Sequence, residues 1–314
     1  MTAPIKGLHH ITAIAGDAQR NFDFYTNVLG LRLVKKTVNF DDPGTYHLYY
    51  GNESGEPGTI LTFFPWKHVK KGKAGVGMAT EIAYSVPAGS LDYWIGRLEA
   101  AGAAPSSKQM AFGEEFISFA DPDGLDLKLV VATTADNRKP WTASIEEDKA
   151  LKGFRGITLT LRDHRATAAI LVSVFGYKLL AQEGNVYRFS TGAIEGASIV
   201  DIIEIPDGQP GINAGGTNHH VAFRVQDDKV LMEYREKIAG LGFHITPKID
   251  RNYFYSLYFR EPGGVLFEIA SDNPGFDVDE SLEELGTNLK LPAQYEDSRA
   301  EIEKTLPGLT STIK

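Results

Sequence analysis

Residues 7–14 read Gly-Leu-His-His-Ile-Thr-Ala-Ile, and residues 217–225 read Thr-Asn-His-His-Val-Ala-Phe-Arg-Val. Both stretches set two adjacent histidines among β-branched and apolar residues, which is typical of a β-strand. Residues 262–270, Pro-Gly-Gly-Val-Leu-Phe-Glu-Ile-Ala, form a further predicted strand in which Glu268 is the one carboxylate. Two histidines and a carboxylate on strands are a donor set that binds a divalent metal.

The same order of signals occurs four times: an apolar strand, a helix that ends in an apolar residue and a glycine, and then further strands. The helix ends are Leu29-Gly30, Ala101-Gly102, Phe175-Gly176 and Leu241-Gly242. Glycine just past a helix is a common left-handed terminator, and Ser90 is the predicted N-cap of the second helix. The sequence therefore predicts an α+β fold of four βαβββ modules.

A polar stretch at residues 136–152 separates the second module from the third and is interpreted as a linker. It predicts two tandem domains, residues 1–135 and 153–275, with two modules each. Residues 276–314 form a C-terminal tail with one short helix predicted at residues 296–305. We expect this tail to wrap the body of the protein or to cover a pocket mouth.

Composition limits the classes of function. The chain of 314 residues has no cysteine, which excludes disulfides, zinc–thiolate sites and thiol nucleophiles. Its formal net charge of −9 argues against nucleic acid or an anionic membrane as a partner. No apolar run approaches the roughly 18 residues that cross a membrane, and no secretory signal pattern is found at the N-terminus. We expect a cytoplasmic protein that acts on small molecules, and a homo-oligomer is compatible with the sequence.

Alignment of the four modules indicates which of them carry ligand-type residues. In the first strands, one position is occupied by His10, Glu81, Gly156 and His220. In the last strands, one position is occupied by Thr62, Lys128, Asp201 and Glu268. Modules one and four therefore supply His10, His220 and Glu268 as candidate ligands. The other two modules supply no histidine, and Lys128 can neutralise Glu81, which predicts an equivalent position without a metal.

Only one histidine of each adjacent pair can point to the metal, because side chains alternate across a strand. The alignment favours His10 and His220, so that His9 and His219 point away or reach the site from its rim. A lone histidine in a strand is more often an ordinary polar or core residue. Two matching pairs, together with a buried carboxylate that needs a partner, favour a metal site instead. For His47, a place in the same cavity and a structural role are equally compatible with the sequence.

Several ordered motifs resemble the vicinal oxygen chelate superfamily, and within it the ring-cleaving dioxygenases of the hydroquinone dioxygenase type. The motifs are residues 7–14, 24–25, 29–35, 46–49, 57–59, 64–65, 262–268 and 285–296. The resemblance implies half-barrel sheets around an Fe(II) centre that His10, His220 and Glu268 hold, although the same donors accept Mn(II). It further implies that the first and fourth modules build the site.

The implied reaction is extradiol-type cleavage of a hydroquinone- or catechol-like ring with O2. The resemblance assigns catalytic roles to residues around the metal, namely His9, Thr12, His219, Arg251 and Tyr258. His9 or His219 would move protons, Tyr258 would donate a hydrogen bond, and Arg251 would stabilise a developing anion. The simpler readings are a core aromatic for Tyr258 and a loop charge for Arg251. Four aromatic residues, Phe63, Phe64, Trp66 and Phe254, are candidates for an apolar pocket, although core packing is the expected role for most of them.

Two other functions compete with this one. A glyoxalase-type lyase or thiol transferase of the same fold uses its metal as a Lewis acid without O2. Such enzymes usually need a fourth protein ligand, and Thr62, at that position, is a poor one. A non-catalytic binding protein of this fold would lack the metal ligands.

Overall fold

The computed structural model describes residues 2–134 and 136–310. Over these residues the chain folds into four consecutive βαβββ modules followed by a tail, which confirms the predicted α+β class. No helix in this part of the chain is both long enough and apolar enough to pass through a membrane.

The modules follow one another with similar elements. Module one contains β1 (Leu8–Ala15), α1 (Ala18–Asp23), β2 (Arg32–Asn39), β3 (Asp42–Gly51) and β4 (Ile60–Pro65). Module two contains β5 (Met78–Val86), α2 (Leu91–Ala100), β6 (Gln109–Ala111), β7 (Glu114–Ala120) and β8 (Asp126–Val131). Module three contains β9 (Gly153–Leu161), α3 (Arg165–Ala169), β10 (Lys178–Glu183), β11 (Val186–Ser190) and β12 (Ile199–Glu204). Module four contains β13 (Thr217–Val225), α4 (Asp228–Gly240), β14 (Ile249–Asp250), β15 (Phe254–Arg260) and β16 (Leu266–Pro274).

The helix ends follow the sequence pattern, and α2 begins at the predicted residue but without the predicted capping hydrogen bond. Helices α1 and α3 continue as π-helical turns, Phe24–Val28 and Ile170–Val174. All four predicted terminating glycines adopt positive φ, between 68° at Gly30 and 87° at Gly242. Ser90 occupies the predicted N-cap position directly before α2, but its hydroxyl donates to the carbonyl of Pro87 and makes no capping hydrogen bond to the helix.

The strands form two eight-stranded sheets that each join two modules. Sheet 1 has the order β14-β15-β16-β13-β1-β4-β3-β2 and joins modules one and four. Sheet 2 has the order β10-β11-β12-β9-β5-β8-β7-β6 and joins modules two and three. Each sheet thus takes strands from both halves of the chain. The division into domains at residues 1–135 and 153–275 stays a prediction, since hydrogen bonding crosses it in both sheets.

Strand register gives the same equivalences as the sequence alignment. The antiparallel seams are centred on Ile11 opposite Val221 in sheet 1 and on Ile82 opposite Ile157 in sheet 2. One residue before these centres lie the four aligned first-strand positions, His10, Glu81, Gly156 and His220. One residue after them, the strands pair with the four aligned last-strand positions, Thr62, Lys128, Asp201 and Glu268.

Alternation along β1 separates the core from the site. Leu8, Ile11 and Ala13 belong to the main hydrophobic core, whereas His10 and Thr12 line a cavity. All eight residues of β1 are buried, so the strand has a packed apolar side and a buried polar side. A buried polar side requires partners for its hydrogen-bonding groups, and for His10 and Thr12 these partners must lie in or around the cavity.

The tail packs on module one. It includes the predicted short helix, α5 (Arg299–Thr305), and its carboxylates Asp279 and Glu280 each lie 2.6 Å from the Nζ atom of Lys35, which is fully buried. The hydroxyl of Tyr295 donates to the carbonyl of Phe40 over 2.6 Å. Phe40 lines the cavity of sheet 1, and the tail therefore holds the turn that forms part of the cavity wall.

Candidate metal centre

Sheet 1 encloses a cavity of about 290 Å³. Its polar lining consists of His10, Thr12, Asn39, Asp41, His47, Tyr49, His219, His220, Arg251 and Tyr258. Its apolar lining consists of Phe40, Phe64, Trp66, Phe254 and Leu266. Three of the four predicted pocket aromatics are among these, whereas Phe63 is fully buried in the hydrophobic core.

The three candidate ligands converge at the base of this cavity. His10 on β1 and His220 on β13 direct their Nε2 atoms at Glu268 Oε2, from 3.2 and 2.9 Å respectively. All three side chains are buried, Glu268 completely so. One ligand atom from each lies within 4.8 Å of the other two, and the three residues can therefore share one ion.

The polar atoms of this cluster fit a divalent cation. Glu268 Oε1 accepts a hydrogen bond from Ser256, but Glu268 Oε2 and His220 Nε2, although 2.9 Å apart, make no regular hydrogen bond with each other or with any other described residue. Burial raises the pKa of the Glu268 carboxyl, yet the adjacent rings of His10 and His220 outweigh that effect and hold it well below its usual range. Burial lowers the pKa of His220. A buried carboxylate facing imidazole nitrogens is what a bound divalent metal would stabilise.

The paired histidines explain how the ligand nitrogens are oriented. His9 and His10 approach through their Nδ1 atoms at 2.9 Å, and His219 and His220 do so at 2.8 Å. His9 also has a hydrogen bond to the backbone of Ser271, and burial lowers its pKa well below the usual value. A neutral His9 that donates Nε2–H to Ser271 accepts the Nδ1–H of His10. The lone pair of His10 Nε2 then faces Glu268, as metal ligation requires.

The second pair has the same arrangement closer to solvent. Burial lowers the pKa of His219 to about 4, so its ring is neutral near pH 7. Its Nδ1 can therefore accept the Nδ1–H of His220, which leaves His220 Nε2 unprotonated toward Glu268. In both histidine pairs, the hydrogen bond between the two Nδ1 atoms leaves the Nε2 atom of the candidate ligand unprotonated and directed toward Glu268.

The remaining predicted site residues surround this centre. Thr12, His219, Arg251 and Tyr258 line the cavity, whereas His9 lies beneath its surface. The guanidinium of Arg251 lies 5.4 Å from the ring centre of Tyr258 and shares a hydrogen bond with it. Burial raises the pKa of Tyr258, so its hydroxyl keeps its proton near neutral pH. Tyr258 pairs with Glu268 across the strands, which places a hydrogen-bond donor beside the candidate ligands.

Sequence reasoning missed part of the cavity wall. Asn39 ends β2, and Phe40 and Asp41 form the turn to β3; no periodic pattern marks such a turn. His47, which the sequence left open, lines the cavity, and so does Tyr49. A comparison of third strands would have found this pair. Tyr49 lies opposite Thr62 as Tyr258 lies opposite Glu268, and His47 is therefore equivalent to Ser256.

The equivalent positions of sheet 2 are occupied by ion pairs. Lys128 Nζ lies 2.5 Å from the carboxylate of Glu81, and Arg188 lies 2.8 Å from that of Asp201. Gly156 leaves no room for a histidine, because a Cβ atom there would lie 2.6 Å from the carbonyl oxygen of Ile199. This set therefore resembles the predicted site-equivalent that has no metal.

One other cluster, Asp163, His164 and Glu204, brings three ligand-type residues together. Asp163 pairs with Arg165, and His164 Nδ1 lies 2.5 Å from Glu204 while its ring stacks on Tyr187 at 3.6 Å. These side chains are partly exposed and already satisfied by one another, unlike the buried atoms of Glu268 and His220.

Comparison with known proteins gives concordant matches. The family model of the glyoxalase/bleomycin resistance protein/dioxygenase superfamily matches residues 7–129 and 153–269. The chain is 45% identical over 307 residues to the "Putative ring-cleaving dioxygenase MhqO" of Bacillus subtilis (strain 168), covering 98% of this chain and 97% of that protein. It is 36% identical over 309 residues to the "Chlorohydroquinone/hydroquinone 1,2-dioxygenase" of Sphingobium indicum, covering 96% of each. A crystal structure of a "putative dioxygenase" from Bacillus subtilis superposes with a TM-score of 0.94 at 44% identity, covering 98% of both chains.

Proposed function

Because the chain belongs to the glyoxalase/bleomycin resistance protein/dioxygenase superfamily, we propose that it is a ring-cleaving dioxygenase. Its substrate would be a hydroquinone- or catechol-like aromatic, which it opens with O2 in an extradiol-type reaction at an Fe(II) centre. His10, His220 and Glu268 would hold the metal. The observation that carries this proposal is the buried cluster of His10, His220 and Glu268 at the base of an aromatic-lined cavity, in which His220 Nε2 and Glu268 Oε2 face each other at 2.9 Å without a regular hydrogen bond.

Two imidazoles and one carboxylate leave coordination positions open, so bound iron would accept a phenolic oxygen and O2 and would lower the pKa of the phenolic hydroxyl. Mn(II) accepts the same donors. The protein itself supplies the orientation of the ring. Phe64, Trp66 and Phe254 form apolar walls of the cavity, which exclude water and contact the flat faces of an aromatic substrate.

The polar side chains of the cavity would stabilise negative charge on the substrate and transfer protons. Arg251 and Tyr258 together present a cation and a neutral hydroxyl donor beside Glu268, and preorganised donors of this kind stabilise an anion that develops on the substrate. His219 is neutral near pH 7, and its second ring nitrogen remains available at the cavity surface. In this tautomer that nitrogen carries the ring hydrogen and can therefore donate it to a substrate oxygen.

One observation favours this function over a non-oxidative lyase or thiol transferase. Thr62 occupies the position equivalent to Glu268, where a fourth protein ligand would lie. Its hydroxyl is 3.0 Å from that of Thr12 and 2.8 Å from His47 Nε2. A neutral hydroxyl already engaged by two neighbours is a weak ligand, which leaves that side of the centre open for O2.

The test is anaerobic loading with Fe(II), followed by measurement of O2 uptake with hydroquinone, methylhydroquinone, chlorohydroquinone and catechol. Labelled ¹⁸O2 should place two oxygen atoms in a ring-opened product. Absence of uptake, with turnover of a hemithioacetal in its place, would show that the lyase function is the correct one.

The metal assignment has its own control. His10→Ala, His220→Ala and Glu268→Gln should each emerge from gel filtration without iron, because each loses a donor. Glu81→Gln changes the equivalent carboxylate of sheet 2, which is paired with Lys128, and should retain iron. The reverse result would transfer the metal to sheet 2.

A further inference from the structure

We propose that Tyr49, His47, Thr62 and Thr12 form a proton relay in the wall that module one contributes to the cavity. The relay would carry a proton away from a phenolic hydroxyl that enters beside Thr12. This inference rests on the proposed function only in taking a phenol as the source of the proton.

The relay is a continuous chain of hydrogen bonds. Tyr49 Oη lies 2.9 Å from His47 Nδ1, and His47 Nε2 lies 2.8 Å from Thr62 Oγ1. Thr62 Oγ1 in turn lies 3.0 Å from Thr12 Oγ1. Each of these distances is normal for a hydrogen bond, so the chain has no gap between the phenolic oxygen of Tyr49 and the hydroxyl of Thr12.

Three members of the chain, Thr12, His47 and Tyr49, line the cavity, whereas Thr62 lies behind them. Thr12 follows His10 by two residues on the same side of β1. Thr62 is completely buried and Tyr49 is 1% exposed. The hydroxyl links are therefore closed to bulk solvent, whereas His47 is half-buried in the cavity wall, and a proton that enters at Thr12 has a hydrogen-bonded route through Thr62 and His47 to Tyr49.

Every member of the chain can both donate and accept. Hydroxyl groups do so by rotation, and a neutral imidazole has one N–H and one lone pair. Burial lowers the pKa of His47 and raises that of Tyr49, in agreement with a chain of neutral groups. Such a chain transfers a proton by shifting each hydrogen to its neighbour, without placing a charge on any member for long.

His47 differs from the residue that occupies the equivalent position in module four. In module four, Ser256 holds Glu268 by one hydrogen bond. In module one, the equivalent residue is His47, and it joins two hydroxyl groups through its two nitrogens. A serine there could hold Thr62, but only the imidazole passes a proton between two atoms on opposite sides of its ring.

Each step of the proton transfer breaks one O–H or N–H bond and forms another. The phenolic O–H bond breaks, and its proton forms a new O–H bond on Thr12, whose own hydrogen moves to Thr62. The hydrogen of Thr62 moves to His47 Nε2, and the Nδ1 hydrogen of His47 moves to Tyr49. Tyr49 releases its former proton to a water molecule in the cavity. One phenolate and one protonated water result, and no electron changes hands.

The experiment measures phenol ionisation without O2. Anaerobic Fe(II)-loaded protein is mixed with 4-nitrophenol in a stopped-flow instrument, and the visible absorption of the phenolate is followed in H2O and in D2O. Thr62→Val keeps the shape but removes the hydroxyl, and we expect ionisation to slow about 10²-fold, the scale of one lost acid–base step, while Thr62→Ser stays within about threefold of wild type. His47→Gln keeps a donor and an acceptor but cannot shift its proton, and it should slow ionisation as Thr62→Val does.

Three checks keep the result interpretable. Iron content and thermal midpoint of each variant show whether folding and loading are retained, and His47→Gln tests the relay independently if Thr62→Val does not fold. Tyr84→Phe removes another buried tyrosine hydroxyl, one that has no hydrogen-bond partner among the described residues, and should leave the rate unchanged. In metal-free protein, ¹⁵N NMR of His47 should report a neutral ring whose tautomer balance changes in Tyr49→Phe.

Wild-type ionisation rates in Thr62→Val and His47→Gln, with an unchanged solvent isotope effect, would overturn the relay. Since the assay contains no O2, that failure would leave the dioxygenase proposal intact. Conversely, a wild-type protein that ionises 4-nitrophenol through the relay but consumes no O2 with any hydroquinone would refute the function and not the relay.

Discussion

Lys35→Met should destabilise the protein strongly through the tail. Lys35 is fully buried on β2, and its ammonium group lies 2.6 Å from the carboxylates of Asp279 and Glu280 and 4.8 Å from the ring centre of Tyr253. Glu280 is also buried, so the substitution leaves an unpaired carboxylate inside the protein. Removal of one partner from a buried ion pair costs about 3–5 kcal/mol in the free energy of unfolding.

Equilibrium urea denaturation measures this cost, and a double-mutant cycle separates pairing from packing. Adding Glu280→Gln to Lys35→Met removes the stranded charge and should recover part of the lost stability. Lys108→Met breaks an exposed ion pair with Asp92 and should leave the urea midpoint unchanged, since surface pairs contribute little. A loss under about 1 kcal/mol for Lys35→Met, where breaking a buried pair predicts several times more, would refute the reasoning, as would a double variant less stable than the single one.

Three further outcomes follow from the site. Tyr258→Phe should lower kcat/KM for the best hydroquinone about 10²-fold, the usual effect of losing one preorganised donor, with iron content unchanged. The unfolding free energy of the metal-free protein should fall as pH drops below 6.5, the ordinary pKa of histidine, because burial lowers the folded-state pKa of His47 and the unfolded chain then binds more protons. His47→Gln should make that fall shallower, whereas His68→Gln, in an exposed loop, should not. Gly156→His combined with Lys128→Glu should fail to create an iron site in sheet 2, as measured by bound metal, because the Cβ of residue 156 would lie 2.6 Å from the carbonyl oxygen of Ile199.

The repeated part of the structure could be predicted from the sequence because its signals are local or periodic. Strand alternation and the terminating glycines mark each module, and the observed register reproduces the alignment of His10 with His220. Ser90 lies at the predicted N-cap position but makes no capping hydrogen bond, because its hydroxyl binds a preceding carbonyl instead. The contacts of Lys35 with the tail were not predictable, since residues far apart in sequence meet there without any periodic pattern.

The cavity wall between β2 and β3 was missed for a related reason. Asn39 ends β2 and is followed by the turn of Phe40 and Asp41, whose position depends on Tyr295 of the tail, which binds the carbonyl of Phe40. Sequence comparison among the modules cannot locate such residues, because the tail occurs once. It can locate His47 and Tyr49, which belong to a repeated strand.

The two sheets share a backbone register and differ in a few side chains. At the aligned positions sheet 1 has His10, Thr62, His220 and Glu268, and sheet 2 has Glu81, Lys128, Gly156 and Asp201. In sheet 2 the opposite charges of Glu81 and Lys128 satisfy each other at 2.5 Å, so a cation has nothing to stabilise there. In sheet 1, Glu268 has no cationic partner of this kind: Oε1 accepts from the neutral hydroxyl of Ser256, and Oε2 faces the imidazole nitrogens of His10 and His220. The difference between a closed ion pair and a site that requires a metal therefore lies in which residue faces the carboxylate, and the fold common to both sheets does not decide it.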